Sequence, residues 1–326
     1  MTATMTAPPL FLHLMADRNG SPAALVWGGA EVAQEDLPSA ESLRQLAAGM
    51  RCFYREGVSP AIEAALRPAG WQPLPLNAVL RADSAFDKNL PPAVQWVDGD
   101  WFLAPPPKPV GAQAVSRALA LQLVQLVTAD ADTHEIEALL RQDPTLSYHL
   151  LKLVNSLGMG AGRKVTSFSQ AILILGRSQL RRWLNLMLFS SRESDMRSAM
   201  LLARVAVRAH ALEQLCKALG QDKLHQEQGF MAGMFSLLGV LFGMPLENVL
   251  QPLTIGDEIK QALLTHGGEL GALLALLEAG ERGQHARLPA QLAAVGLDVA
   301  CFNQIMADAN LWMQGVAGGK AGSAHA

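Results

Sequence analysis

The stretch from Asp143 to Ser191 constrains this chain most, because it carries its own start and stop signals for three successive helices. Asp143 suits a helix cap ahead of Pro144, a first helical position where the missing N–H costs nothing. Leu146, Leu150, Leu151 and Val154 follow at helical spacing, and Asn155-Ser156 closes the run before a turn through Gly158, Gly160 and Gly162. Ser167 and Gln170 have the pattern of a capping box for a second helix through Ile172, Ile174 and Leu175, which Gly176 ends. A third helix after Ser178 sets Leu180, Trp183, Leu184, Met187 and Leu188 on one face. Capped amphipathic helices with short joints predict a compact helical core.

Four motifs stand in order here: Asp-Pro-x-Leu-Ser (143–147), Leu-Val-Asn-Ser (153–156), Thr-Ser-Phe-x-x-Ala-Ile (166–172) and Leu-Gly-x-x-x-Leu (175–180). Together they resemble an HDOD domain, an all-helical relative of the HD phosphohydrolases that lacks their metal-binding residues. The similarity extends from about Val115 to Gln314. It implies bacterial signal transduction through contacts with other signalling proteins instead of turnover. The expectation is a regulatory protein that is not an enzyme.

Residues 1–110 have a different texture, with most of the prolines and Trp27, Trp71, Trp96 and Trp101. Ala23 to Trp27 reads as a strand, Ser39 to Tyr54 has helical spacing, and Ser59-Pro60 starts a short helix that Pro68 ends. Ala93 to Ala104 reads as a hairpin about Asp98-Gly99, and the Pro105–Pro109 run as a stiff linker. The fold class expected is mainly α: a small mixed α/β domain over 1–110, an all-helical domain over 111–316, and a disordered tail over 317–326. Gly99 to Pro105 also resembles the last strand of an EAL domain, the barrel that hydrolyses cyclic di-GMP. A full barrel of that kind needs roughly 200 residues, so the resemblance implies a truncated, inactive remnant. Glu137-Ala138-Leu139 lies on a helix of the second domain and reads as chance.

Further helices are expected at Val115–Val127, from Asp132 through Leu140, and at Met196–Leu219, Gly229–Phe242 and Leu246–Leu250. Three more follow at Asp257–Leu264, Glu269–Ala279 and Leu297–Met313. A net charge of −3 gives no global attraction to nucleic acid or to an anionic membrane. Cys52, Cys216 and Cys301 are sparse and unpaired in pattern, as suits a reducing cytosol, and the N-terminus shows no signal-peptide pattern. The expected location is cytoplasmic, with no nucleic-acid or membrane partner; the apolar helices suit a homodimer.

HD hydrolases hold divalent metal with His and Asp side chains, including a His-Asp dipeptide, and this chain contains no such dipeptide. The resemblance aligns that pair with Ser236 and Leu237, neither of which builds the usual site, and His210 with an earlier ligand position. These are degenerate metal-site positions, so no metal and no cofactor are expected. The glycine turn fits neither GxxxxGK[ST] nor GxGxxG. Arg163, Lys164, Arg177, Arg181 and Arg182 form the candidate binding surface, near two expected helix N-termini that favour an anion. Two alternatives stay open: a sensor that binds a cyclic dinucleotide without turnover, and a metal-dependent phosphohydrolase with an unorthodox site.

Overall fold

The computed structural model describes residues 9–29, 32–86, 89–105, 121–129, 131–140, 182, 195–253 and 255–317. The N-terminal elements are β1 (Leu12–Ala16), β2 (Pro22–Trp27), α1 (Ala40–Gly49), β3 (Arg51–Tyr54), α2 (Pro60–Leu66), β4 (Gln72–Pro73), β5 (Val79–Arg81) and β6 (Trp96–Asp98). They build one sheet of order β4-β3-β2-β1-β6-β5. Strand β1 runs antiparallel to both neighbours, while β2-β3-β4 and β5-β6 are parallel.

Chain connectivity forces this sheet to curl. Strands β4 and β5 are its two edges, yet only residues 74–78 join them. Laid flat, six strands would set the edges roughly 24 Å apart. Six residue steps reach about 20–22 Å when fully extended, and a 3-10 turn at Leu76–Ala78 shortens the link further. Phe53 of β3 and Trp96 of β6, three strands apart, accordingly meet with ring centroids 5.5 Å apart. Met15, Ala24, Val26, Phe53 and Leu74 form one small buried cluster. Their alternate neighbours Leu14, Ala16, Leu25, Trp27, Cys52 and Tyr54 join the main core, the period of two expected of strands with two covered faces.

Residues 121–128 are helical. There follow α3 (Thr133–Leu140), α4 (Ser198–Ala218), α5 (Lys223–Phe235), α6 (Leu238–Phe242), α7 (Leu246–Leu250), α8 (Asp257–Thr265), α9 (Gly268–Glu281), α10 (Leu288–Val295) and α11 (Val299–Ala317). Helix α4 is central. It packs tightly on α5 because Gly233 brings the backbones together; a Cβ there would lie 2.4 Å from the Ala209 Cα. Helix α11 fastens the helices to the sheet. Its Asn303 accepts a hydrogen bond from the Leu10 N–H at 2.7 Å and donates to the Asp36 carbonyl at 2.7 Å. Gln304 accepts from the Ser39 N–H at 2.9 Å, and Gln314 donates to the Leu46 carbonyl at 3.1 Å. Sheet and helices share one hydrophobic core.

The mainly α class with a mixed N-terminal sheet is as expected, and several elements differ in detail. The helix expected over Ser39–Tyr54 stops at Gly49, where a Cβ would sit 2.1 Å from Gln314 Oε1, and Arg51–Tyr54 becomes β3. The hairpin expected over Ala93–Ala104 does not form. After Gly99 (φ +106°) the chain makes a 3-10 turn, Trp101–Leu103, which buries both Trp101 and Phe102 on the helix side. Consecutive strand residues would have sent them to opposite faces. The helix expected over Gly229–Phe242 begins earlier, capped by Asp222, and breaks at Ser236-Leu237 into α5 and α6. Strand β1 and helix α10 were not anticipated. The three-helix motif apart from Arg182, most of the proline linker and nearly all of the tail lie outside the described residues.

Among the described residues, Asp257–Glu281 has the length and hydropathy (1.2) of a membrane span, and two bent helices, His285–Val295 and Val299–Val316, pass the same test together. The first stretch is two helices broken at His266, whose φ is +53°, and 44% of its most apolar 18-residue window is buried inside the fold.

Candidate functional site

Two arginines one turn apart on α4 meet two glutamates one turn apart on α9. Arg208 donates through Nε to Glu281 Oε1 at 2.8 Å and through Nη2 to Oε2 at 2.5 Å, a bidentate pair. Arg204 reaches the same carboxylate at 3.0 Å. Arg208 also donates to Ser236 Oγ at 2.9 Å, and the Ser236 hydroxyl donates onward to the Gly233 carbonyl at 2.7 Å. Glu278 lies 3.5 Å from Arg208 and pairs outward with Arg282 at 2.5 Å and His266 at 3.1 Å. The Arg204 guanidinium lies 5.3 Å from the Phe102 ring centroid, which ties the network to the N-terminal layer.

Burial alone would raise the Glu281 carboxyl, but Arg204 and Arg208 outweigh it and hold its pKa at about 2. Burial works against the Arg208 charge too; Glu281 and Glu278 outweigh it and raise its pKa. The inner part therefore pairs two cations with two anions, each charge satisfied. An arrangement of this kind fixes three helices against each other, and a ligand could enter only by breaking a buried pair.

His210 belongs to a different cluster. Its ring stacks on Trp312 with centroids 5.2 Å apart and planes at 10°, and its Nδ1 lies 3.7 Å from Glu213. Arg182 pairs with the same Glu213 and lies 4.0 Å over the Phe230 ring, which meets Trp312 edge-on at 5.8 Å. Burial would raise Glu213, and His210 and Arg182 bring it below its ordinary value.

The residues expected from the sequence thus fall into separate places. Ser236 belongs to the arginine network, Leu237 is a buried apolar residue, and His210 pairs with Glu213 and Trp312 instead. Arg182 is engaged, with its side chain 21% exposed. Arg163, Lys164, Arg177 and Arg181 lie outside the described residues. Among the described residues no group of three or more His, Cys, Asp or Glu side chains is placed to hold a metal ion. Sequence reasoning missed Arg204, Arg208, Glu278 and Glu281. Their signal was present: charges repeated one helical turn apart within otherwise apolar helices.

Residues 116–252 match the HDOD domain family. Over 199 residues the chain is 31% identical to a protein of Vibrio cholerae named "Cyclic di-GMP phosphodiesterase CdgJ", covering 61% of this chain and 46% of that one. It is also 31% identical over 142 residues to the "Uncharacterized protein YuxH" of Bacillus subtilis, covering 43% of this chain and 34% of that one. The chain thus spans less than half the length of these relatives. A solved structure from Shewanella amazonensis is similar with a TM-score of 0.43 and 15% identity, over 62% of this chain and 93% of that one. The Vibrio relative overturns the expectation that this chain is not an enzyme. That expectation rested on Ser236, Leu237 and the missing His-Asp dipeptide, and the loss of one metal site says nothing of chemistry carried by other residues. Residues 116–252 are thus an HDOD domain.

Proposed function

We propose that this chain acts in cyclic di-GMP signalling, on the side where the phosphodiester is hydrolysed. The observation that carries the reading is the 31% identity over 199 residues to a protein named a cyclic di-GMP phosphodiesterase. In this reading the HDOD domain contributes contacts to other signalling proteins. The bond broken is one of the two phosphodiesters of the ring; water adds to phosphorus, a ribose oxygen leaves, and a linear dinucleotide results.

The test incubates the purified full chain with cyclic di-GMP and added Mg²⁺ or Mn²⁺ and follows the linear dinucleotide by chromatography. Binding is measured in parallel by calorimetry. Turnover that scales with protein supports the proposal. Binding without turnover would replace it with a sensor. The absence of both would remove cyclic di-GMP from the reading.

A further inference from the structure

A cleft of about 240 Å³ opens between the C-terminal end of α4, helices α5 and α8, and the start of α9. Cys216, Gln221, His225, Glu258, Gln261 and Glu269 line it. Two leucines border it. Leu224 stands four residues before Gln228 on α5, which also lines the cleft, and Leu264 three after Gln261 on α8, so each shares a helix face with a lining residue. They are 62% and 43% exposed, and among the described residues only Leu76 and Met244 are comparably exposed large apolar residues. An exposed apolar pair at the mouth of a cleft is where a partner gains most from burial.

Charge states which partner fits. Glu258 and Glu269 both line the cleft, and no Arg or Lys does. Glu269 accepts from the neutral Gln221 amide at 2.9 Å. Among the described residues no side-chain hydrogen bond or ion pair holds Glu258. The cation at hand is His225, which Asp222 already engages at 2.7 Å. A phosphate or other anion would be repelled here. The volume falls below the roughly 300–1,000 Å³ of a small-molecule site, and suits a single long side chain.

We propose that this cleft docks a partner protein by taking one arginine or lysine side chain between Glu258 and Glu269. Apolar residues of the same segment pack on Leu224 and Leu264. The proposal rests on the part of the cyclic di-GMP reading in which the HDOD domain contacts other signalling proteins and uses none of its phosphodiester chemistry, so loss of peptide binding and loss of turnover are separate outcomes.

The probe is a displayed library of random short peptides, selected on the full chain and on the Glu258→Gln/Glu269→Gln double variant. Both glutamates are exposed, so the variant retains its fold, as its melting curve will show. Peptides enriched on the wild-type chain should share one basic residue with apolar neighbours. The strongest should bind the double variant at least tenfold more weakly by fluorescence anisotropy, and Leu224→Ser should weaken it as well. Replacing the peptide's basic residue with glutamine should have the same effect as the double variant. The proposal is overturned if no peptide is enriched, if the enriched peptides lack a basic residue, or if they bind the double variant equally. Self-association abolished by the double variant, without enrichment of basic peptides, would overturn it in favour of a second copy of this chain.

Discussion

Arg208 and Glu281, 73 residues apart in sequence, form a two-pronged ion pair at 2.8 and 2.5 Å with side chains only 6% and 7% exposed. Removing one partner of such a pair strands the other as a buried, uncompensated charge. Glu281→Ala should therefore destabilise the fold by about 3–5 kcal/mol. Urea unfolding of wild type and variant measures it, and a loss below about 1 kcal/mol would show the pair to be dispensable.

The same pair sets an acid limit. The Glu281 pKa is lowered from 4.5 to about 2, so its contribution is fully present above about pH 4.5 and is lost as pH falls towards 2. Urea midpoints taken across that window should drop more steeply for wild type than for Glu281→Gln.

His13 acts at milder pH and with the same sign. Burial first, then Arg204, lowers its pKa from 6.5 to about 4, so the folded state resists its protonation. Stability linked to His13 is complete above about pH 6.5 and is lost as pH falls towards 4. The His13 ring proton should titrate near 4 by NMR; a midpoint near 6.5 would contradict the buried placement.

Asn303 satisfies the Leu10 N–H and the Asp36 carbonyl at once. Asn303→Ala should cost about 1–3 kcal/mol, as the buried Leu10 N–H and the half-buried Asp36 carbonyl lose their partner. Hydrogen exchange should speed up around Leu10, far from the substitution in sequence. Unchanged exchange there would argue against the clamp.

Gly233→Ala tests the closeness of α4 and α5. With the new methyl 2.4 Å from the Ala209 Cα, backbone must yield, and the variant should lose at least about 2 kcal/mol. A melting temperature within a degree of wild type would mean that the helices stand further apart.

Helices with strong local signals were legible in the sequence. Ser59-Pro60 starts α2, Asp132 precedes α3, and the apolar faces of α4, α8 and α9 lie close to where periodicity set them. What stayed hidden was set by partners distant in sequence. Arg51–Tyr54 becomes a strand because β2 and β4 flank it, and Trp101 leaves the strand pattern because the helices behind the sheet bury it. The charge spacing of the arginine network was on view in each helix, but its pairing was not, because Arg208 meets Glu281 only once α9 packs on α4. Ser236 was read as an absence, a lost ligand, whereas it holds one end of that network.

The Asn303 clamp also bears on how the protein is made. At roughly 5–20 residues per second, synthesis delivers Asn303 about 15–60 seconds after Leu10, which lies 293 residues earlier. In that interval the apolar side of α1, with Leu43 and Leu46, has no α11 to cover it. The nascent sheet is thus an aggregation hazard on the ribosome, and cells with fewer chaperones should yield less of the native protein.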